Sequence, residues 1–205
     1  MNYIVLDTET ANSIYYPLCY NIGWIVVNEC GEILCKRSYL VTEIFGDVAL
    51  MDTAYYKKKI PIYLDALEND EIKETSIIYV RRQFRNDVKK FDISIVSAHN
   101  APFDKRATKN TVTELTKHQF FIDLELTIVD TLKLARKKYY KDLEYTNFCT
   151  TFNCLTKKGR NSLTAESLYR YISKNYNFKE EHRALEDCLI EKEILLNCLD
   201  ILSEL

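Results

Sequence analysis

Apolar positions along this chain recur at two periods, and the changes of period mark its elements. Residues 2–6 (NYIVL) are rich in Tyr, Ile and Val and predict a first strand. Residues 21–28 (NIGWIVVN) and 33–41 predict two more. Glu29-Cys30-Gly31-Glu32 between them supplies a turn with a glycine free to take positive φ, so these strands should form a hairpin with strand one alongside. From Ser76 to Lys90, apolar residues at 77, 80, 84 and 88 recur at helical spacing. Residues 93–97 then predict a short buried strand ending at Ala98-His99-Asn100. Pro102 suits the first turn of a following helix, where its missing N–H costs nothing, and that helix extends to about Lys117. A further short strand around 126–129 leads into a helix beginning near Asp130 or Thr131. Two or three helices follow, separated near 156–162, and the last, from about Arg183 to Leu199, is strongly apolar on one side. Residues 42–75 are the least legible. They mix Tyr55-Tyr56-Lys57-Lys58-Lys59 with an acidic run from Glu68 to Glu74 and predict short helices, a helical insertion at the domain edge. The order β-β-β, α-β-α-β, then helices predicts an α/β fold. One mixed sheet, an antiparallel hairpin plus parallel strands, is flanked by helices in a single domain over 1–205.

Composition narrows the classes. With 205 residues, 47% hydrophobic and 12% aromatic, the chain can bury a sizeable core. A formal charge of −2 excludes a protein that coats duplexes through bulk positive charge, so any nucleic-acid contact should be local. Seven cysteines are an odd number with no CxxC spacing, which predicts reduced thiols acting as small hydrophobes. The N-terminus runs straight into a strand and no apolar stretch approaches about 18 residues, so a cytoplasmic location without membrane contact is expected.

The candidate chemistry lies at element ends. Asp7 and Glu9 are two apart on a strand, so their side chains leave the same face as Tyr3 and Val5. Paired carboxylates raise each other's pKa unless a cation intervenes, and a hard ion such as Mg²⁺ or Mn²⁺ suits them; a solvated strand end is the plain alternative. Asp104 falls in the first turn of its helix, where the dipole favours a carboxylate by ~0.3–1 kcal/mol. It also clusters with His99 and Asn100 at the edge of a buried strand, where open α/β sheets place ligands. Asp187 shares a helical stripe with Ile190, Ile194 and Cys198, so it should face the protein body and need a cation or strong donor. Glu191 lies on the same arc, which leaves open that the arc is wet. His182 is five residues before Asp187, about 140° away were it on the helix, so sharing a site with Asp187 requires it in the preceding loop. A surface histidine beside Glu180 and Glu181 is the alternative.

Taken together, DTET (residues 7–10), HNAPFD (99–104) and HRALED (182–187) resemble, in order and spacing, the three exonuclease motifs of the DnaQ-like 3′–5′ exonucleases, in the group with a histidine in the last motif. The resemblance covers nearly the whole chain and extends to VDTLKLARK and HRALEDCLIEKEIL. It implies a ribonuclease H-like sheet and two Mg²⁺ or Mn²⁺ held by Asp7, Glu9, Asp104 and Asp187, with His182 as general base. Thr10, His99, Asn100 and Phe103 would meet the substrate. The implied activity is removal of nucleoside 5′-monophosphates from the 3′ end of single-stranded nucleic acid, DNA favoured over RNA, with a polymerase or another replication or repair protein as a candidate partner. The alternatives are an oligoribonuclease-type enzyme acting on short RNA or small oligonucleotides, and a catalytically silent nucleic-acid-binding module on the same fold. Ala11 and Asn12 stand where the family often has Thr-Gly; Asn tolerates left-handed backbone, so a turn survives there.

Overall fold

A computed structural model describes residues 1–202; the last three residues of the expected 1–205 domain lie outside the described residues. Six strands form one sheet in the order β4-β3-β2-β1-β5-β6. β1 (Asn2–Ser13), β2 (Tyr16–Asn28) and β3 (Ile33–Val41) are antiparallel neighbours. β4 (Lys73–Thr75) runs parallel to β3, while β5 (Ile95–Ala98) runs parallel to β1 and β6 (Thr127–Asp130) parallel to β5. The mixed α/β sheet flanked by helices is the expected class and is consistent with a ribonuclease H-like fold.

Both faces of the central strands are covered, so they are apolar at consecutive positions rather than alternating. Ile4, Leu6, Trp24, Val26 and Leu40 face a layer made by α4 (Ile77–Lys90) and α5 (Ala101–Leu115), through Val80, Phe84, Ala107 and Val112. Tyr3, Val5, Ile25 and Val27 face α9 (Ala184–Asn197) through Cys188 and Leu195. The opposite flank of α9, with Ile190 and Ile194, packs against α6 (Thr131–Tyr139), α7 (Leu143–Thr151) and α8 (Ala165–Ser173). The last helix is therefore apolar on two flanks instead of one, because it is wedged between the sheet and three helices. It stops at Asn197, and a short α10 (Leu199–Leu202) follows.

Three local differences from the sequence reading have physical causes. β1 and β2 extend to residues 13 and 16 as one long hairpin, because the polar DTETANS stretch keeps antiparallel partners on β2 throughout. A bulge opposite Glu9 and Thr10 shifts the register there. Residues 42–75 form α1 (Thr42–Phe45), α2 (Val48–Met51), a 3-10 turn (Lys57–Lys59) and α3 (Ile60–Glu68). They then add β4, a strand hidden in the acidic run and specified by pairing with β3 rather than by its own apolar pattern. All seven cysteines are free, and five of them (Cys19, Cys149, Cys154, Cys188, Cys198) are buried, as small core hydrophobes should be. Among the described residues, no helix is long and apolar enough to cross a membrane.

Candidate active site

β5 pairs with β1 only at Tyr3, Ile4 and Val5, then ends at Ala98 and turns into α5. Beyond Val5, that edge of β1 is left open, and Asp7 and Glu9 project beside the notch at the C-terminal end of three parallel strands. Ligands collect at such points in open α/β sheets. The turn is made by Asn100, which is left-handed (φ 70°) and whose N–H donates to Asp130 Oδ1 at 3.1 Å. The same Asp130 oxygen accepts from Leu132 N–H and so caps α6, an arrangement that fixes the start of one helix to the start of another.

The notch opens into a cleft of about 960 Å³, lined by all nine sequence-predicted residues: Asp7, Glu9, Thr10, His99, Asn100, Phe103, Asp104, His182 and Asp187. Asp104 is buried in the first turn of α5, and Thr8, on the other face of β1, donates its hydroxyl to Asp104 Oδ1 at 2.8 Å. Asp187 is buried on α9. His182 lies in the loop just before α9 in a left-handed conformation (φ 54°), and that kink puts it on the cleft side. One ring nitrogen of His182 and one carboxylate oxygen each of Glu9 and Asp187 lie within 4.8 Å of one another. Such a triad can hold a cation, or can flank a water from which the imidazole takes a proton.

His99 is more committed than its sequence position suggests. Its Nε2 lies 2.7 Å from the Leu163 carbonyl and its Nδ1 3.0 Å from the Thr131 hydroxyl. The first contact needs an N–H at Nε2, and Nδ1 faces the Thr131 hydroxyl, which also lies 3.3 Å from the Ala98 carbonyl. The ring thus joins the end of β5 to α6 and to the segment before α8.

The cleft holds residues that the motifs do not contain. Glu191, one turn beyond Asp187, is buried rather than wet, and accepts the His99 N–H at 3.1 Å. Its i, i+4 spacing from Asp187 was the available signal. Glu180, Tyr55, Tyr56, Arg136 and Arg160 also line the cleft. Tyr56 stacks on His182 with ring centroids 4.0 Å apart and planes 11° from parallel.

α9 is held in place at its first turn. Asn21 is fully buried on β2, and its Oδ1 accepts from Ala184 N–H and from the Tyr63 hydroxyl, both at 3.1 Å. Its amide nitrogen donates to the Tyr39 carbonyl at 3.0 Å and to Ser38 Oγ at 3.2 Å. Four partners on β3, α3 and α9 therefore meet at one side chain that sits two residues before Gly23. A Cβ at Gly23 would lie 2.6 Å from the backbone of Ala184 and of Leu185, so only glycine lets the helix come this close.

The electrostatics follow from the crowding. Burial pushes the Glu9 carboxyl up to about 9, with Asp187, Glu180 and Asp104 adding repulsion and Lys59 opposing it. Burial, then Glu180 and Glu186, raises Asp187 to about 8. Burial raises Asp104 to about 7 against the relief given by the Thr8 hydroxyl. Asp7 and Glu191 are driven well above the usual carboxylate range, first by burial and then by their acidic neighbours. His182 moves the other way, lowered by burial and by Lys59, so its imidazole is neutral and able to accept a proton near pH 7. A set of carboxyl groups that cannot all ionise together is a site that a divalent cation would relieve. The oxygen-rich donor set fits a hard ion such as Mg²⁺ or Mn²⁺.

No family model matches the chain, and no curated protein does. Solved structures do. E. coli exonuclease I in complex with a dA16 oligonucleotide superposes with a TM-score of 0.61 at 13% identity, covering 99% of this chain and 42% of that one. The same enzyme with a dT13 oligonucleotide gives the same figures. Exonuclease X in complex with 5′ overhanging duplex DNA gives a TM-score of 0.48 at 17% identity over 98% of this chain and 93% of that one. The chain thus spans about two fifths of the length of exonuclease I, and at this identity the likeness is one of fold: this chain is built on the fold found in that part of E. coli exonuclease I.

Proposed function

We propose that this protein is a metal-dependent 3′–5′ exonuclease that releases nucleoside 5′-monophosphates from single-stranded nucleic acid, with DNA the favoured substrate. One observation carries the reading. Asp7, Glu9, Asp104, His182 and Asp187, drawn from three distant stretches of sequence, meet in one cleft. Asp7, Glu9, Asp104 and Asp187 would hold two Mg²⁺ or Mn²⁺. Such ions supply acidification of a bound water and stabilisation of charge on the phosphate and the departing 3′ oxygen. His182, neutral and beside Glu9 and Asp187, takes the proton of the attacking water. The water oxygen bonds to phosphorus, the bond to the 3′ oxygen breaks, and that oxygen takes a proton from solvent to become the new 3′-hydroxyl, while His182 gives its proton back to solvent. Thr10 and Phe103 face the terminal nucleotide, and Arg136 and Arg160 at the cleft wall offer positive charge to phosphates that lie farther out. The exonuclease I structures with dA16 and dT13 make a single DNA strand the first substrate to try.

Product chemistry tests the reading. Chromatography of a digest of single-stranded DNA with Mn²⁺ should give nucleoside 5′-monophosphates, and EDTA should abolish them. Products ending in 3′-phosphates, or undiminished digestion in EDTA, would overturn it.

A further inference from the structure

The motifs account for His182 but not for what holds it. His182 lies near the end of the ten residues between α8 and α9, and its backbone is left-handed. A non-glycine residue in that region costs free energy and persists only where the surroundings over-determine it. Asp187 holds the His182 backbone by a hydrogen bond, and two side chains hold the ring. Glu180 Oε2 lies 3.8 Å from His182 Nδ1, at the edge of the ring. The Tyr56 ring covers one face at a centroid distance of 4.0 Å and 11° between planes.

Tyr56 belongs to the stretch between α2 and α3, far from every motif in sequence. It is half-buried and directly precedes the 3-10 turn Lys57–Lys59. Its own ring is fixed in turn by Tyr55, which meets it edge-on with centroids 4.8 Å apart. Because one Tyr56 face is spent on the imidazole and Tyr55 packs against the ring as well, Tyr56 is not a free platform for a nucleobase. Lys59, three residues on, is close enough to act electrostatically on both Glu9 and His182. The segment at 42–75 therefore reaches the catalytic cleft instead of only covering a domain edge.

We infer that Tyr56 is a positioning residue that fixes the His182 imidazole toward Glu9 and Asp187. The catalytic part of this inference rests on the proposed exonuclease reading. The placement of the ring does not.

The test uses the full chain and three variants, Tyr56→Leu, Tyr56→Phe and His182→Ala. In the metal-free protein, the carbon-bound imidazole protons of His182 lie over an aromatic face, so ring current displaces their NMR signals upfield. Tyr56→Leu should return them toward the position of a free histidine, and Tyr56→Phe, which keeps the ring, should leave them displaced. On a single DNA strand with Mn²⁺, Tyr56→Leu should lower kcat by about two- to tenfold, the scale of one aromatic pair, with KM nearly unchanged. Tyr56→Phe should restore most of that loss. Signals that stay in place in Tyr56→Leu would overturn the inference. So would a rise in KM at constant kcat, which would make Tyr56 a substrate contact. If His182→Ala keeps full turnover, the exonuclease role of His182 fails, and the imidazole signals still decide whether Tyr56 places the ring.

Discussion

At the scale of single residues, Asp7 carries the sharpest consequence. It stands in the centre of the carboxyl cluster, raised by burial and by repulsion from Glu191, Asp104, Asp187 and Glu9. Asp7→Asn puts a neutral group of the same shape in place of a carboxyl that resists ionising. The metal-free variant should melt at the same temperature as the wild type or a few degrees higher, since 1 kcal/mol moves Tm by about 2–4 °C for a chain of this size. Its turnover should fall by orders of magnitude. Calorimetric melting in EDTA beside a nuclease assay reads both, and an unfolded variant or one with near-normal turnover would contradict the assignment. Much of this residue set was legible in sequence because each member sits at an element end with a residue type that chemistry needs. Glu191 was legible only as a neighbour of Asp187 on the same helical arc, and Tyr56 was not legible as a neighbour of the site at all. Their distances to His99 and His182 are set by packing between elements 92 and 126 positions apart in the chain, and no local period encodes that.

At the scale of elements, the approach of α9 to β2 decides where Asp187 and His182 stand. The glycine in NIGWIVVN breaks an otherwise apolar, β-branched strand, and the strand pattern alone assigns it no purpose. The structure does: Gly23 sits under the backbone of Ala184 and Leu185. Gly23→Ala should cost about 1–3 kcal/mol through overpacking. It should also push back the helix start that bears the last motif, so activity should drop more than stability alone accounts for. Thermal melting together with activity assayed well below Tm checks this, and an unperturbed variant would mean that the contact is slack. The long hairpin was only half legible for a related reason. Strand propensity undervalues DTETANS, whose Asp, Asn, Glu and Ala are depleted in strands, while pairing with β2 holds it extended. β4 was hidden because its three residues carry no apolar alternation and are ordered by the neighbouring strand.

At the scale of the whole molecule, the cluster couples stability to pH and to metal. The carboxyls of Glu9, Asp187 and Asp104, held at about 9, 8 and 7, have ordinary values of 4.5 for Glu and 3.8 for Asp. Between those limits the folded metal-free protein binds more protons than the unfolded chain, so its stability should fall as pH rises from about 4 to about 9. Mn²⁺ should reverse that slope by holding the ionised forms, and denaturant titrations at pH 5, 7 and 9 with and without the ion would show it. Stability that stays flat with pH in EDTA would mean that these groups ionise freely, and stability that rises would mean that the fold holds them ionised; either contradicts the crowded cluster. The most direct measurement of the central claim is the direction of digestion: a single-stranded DNA labelled at its 5′ end, incubated with the protein and Mn²⁺, and resolved by length over time. A metal-dependent 3′–5′ exonuclease gives a ladder that shortens one nucleotide at a time from the 3′ end, absent in EDTA and absent with Asp7→Asn. Immediate release of a labelled mononucleotide, internal cuts without a ladder, or the same ladder in EDTA would contradict it.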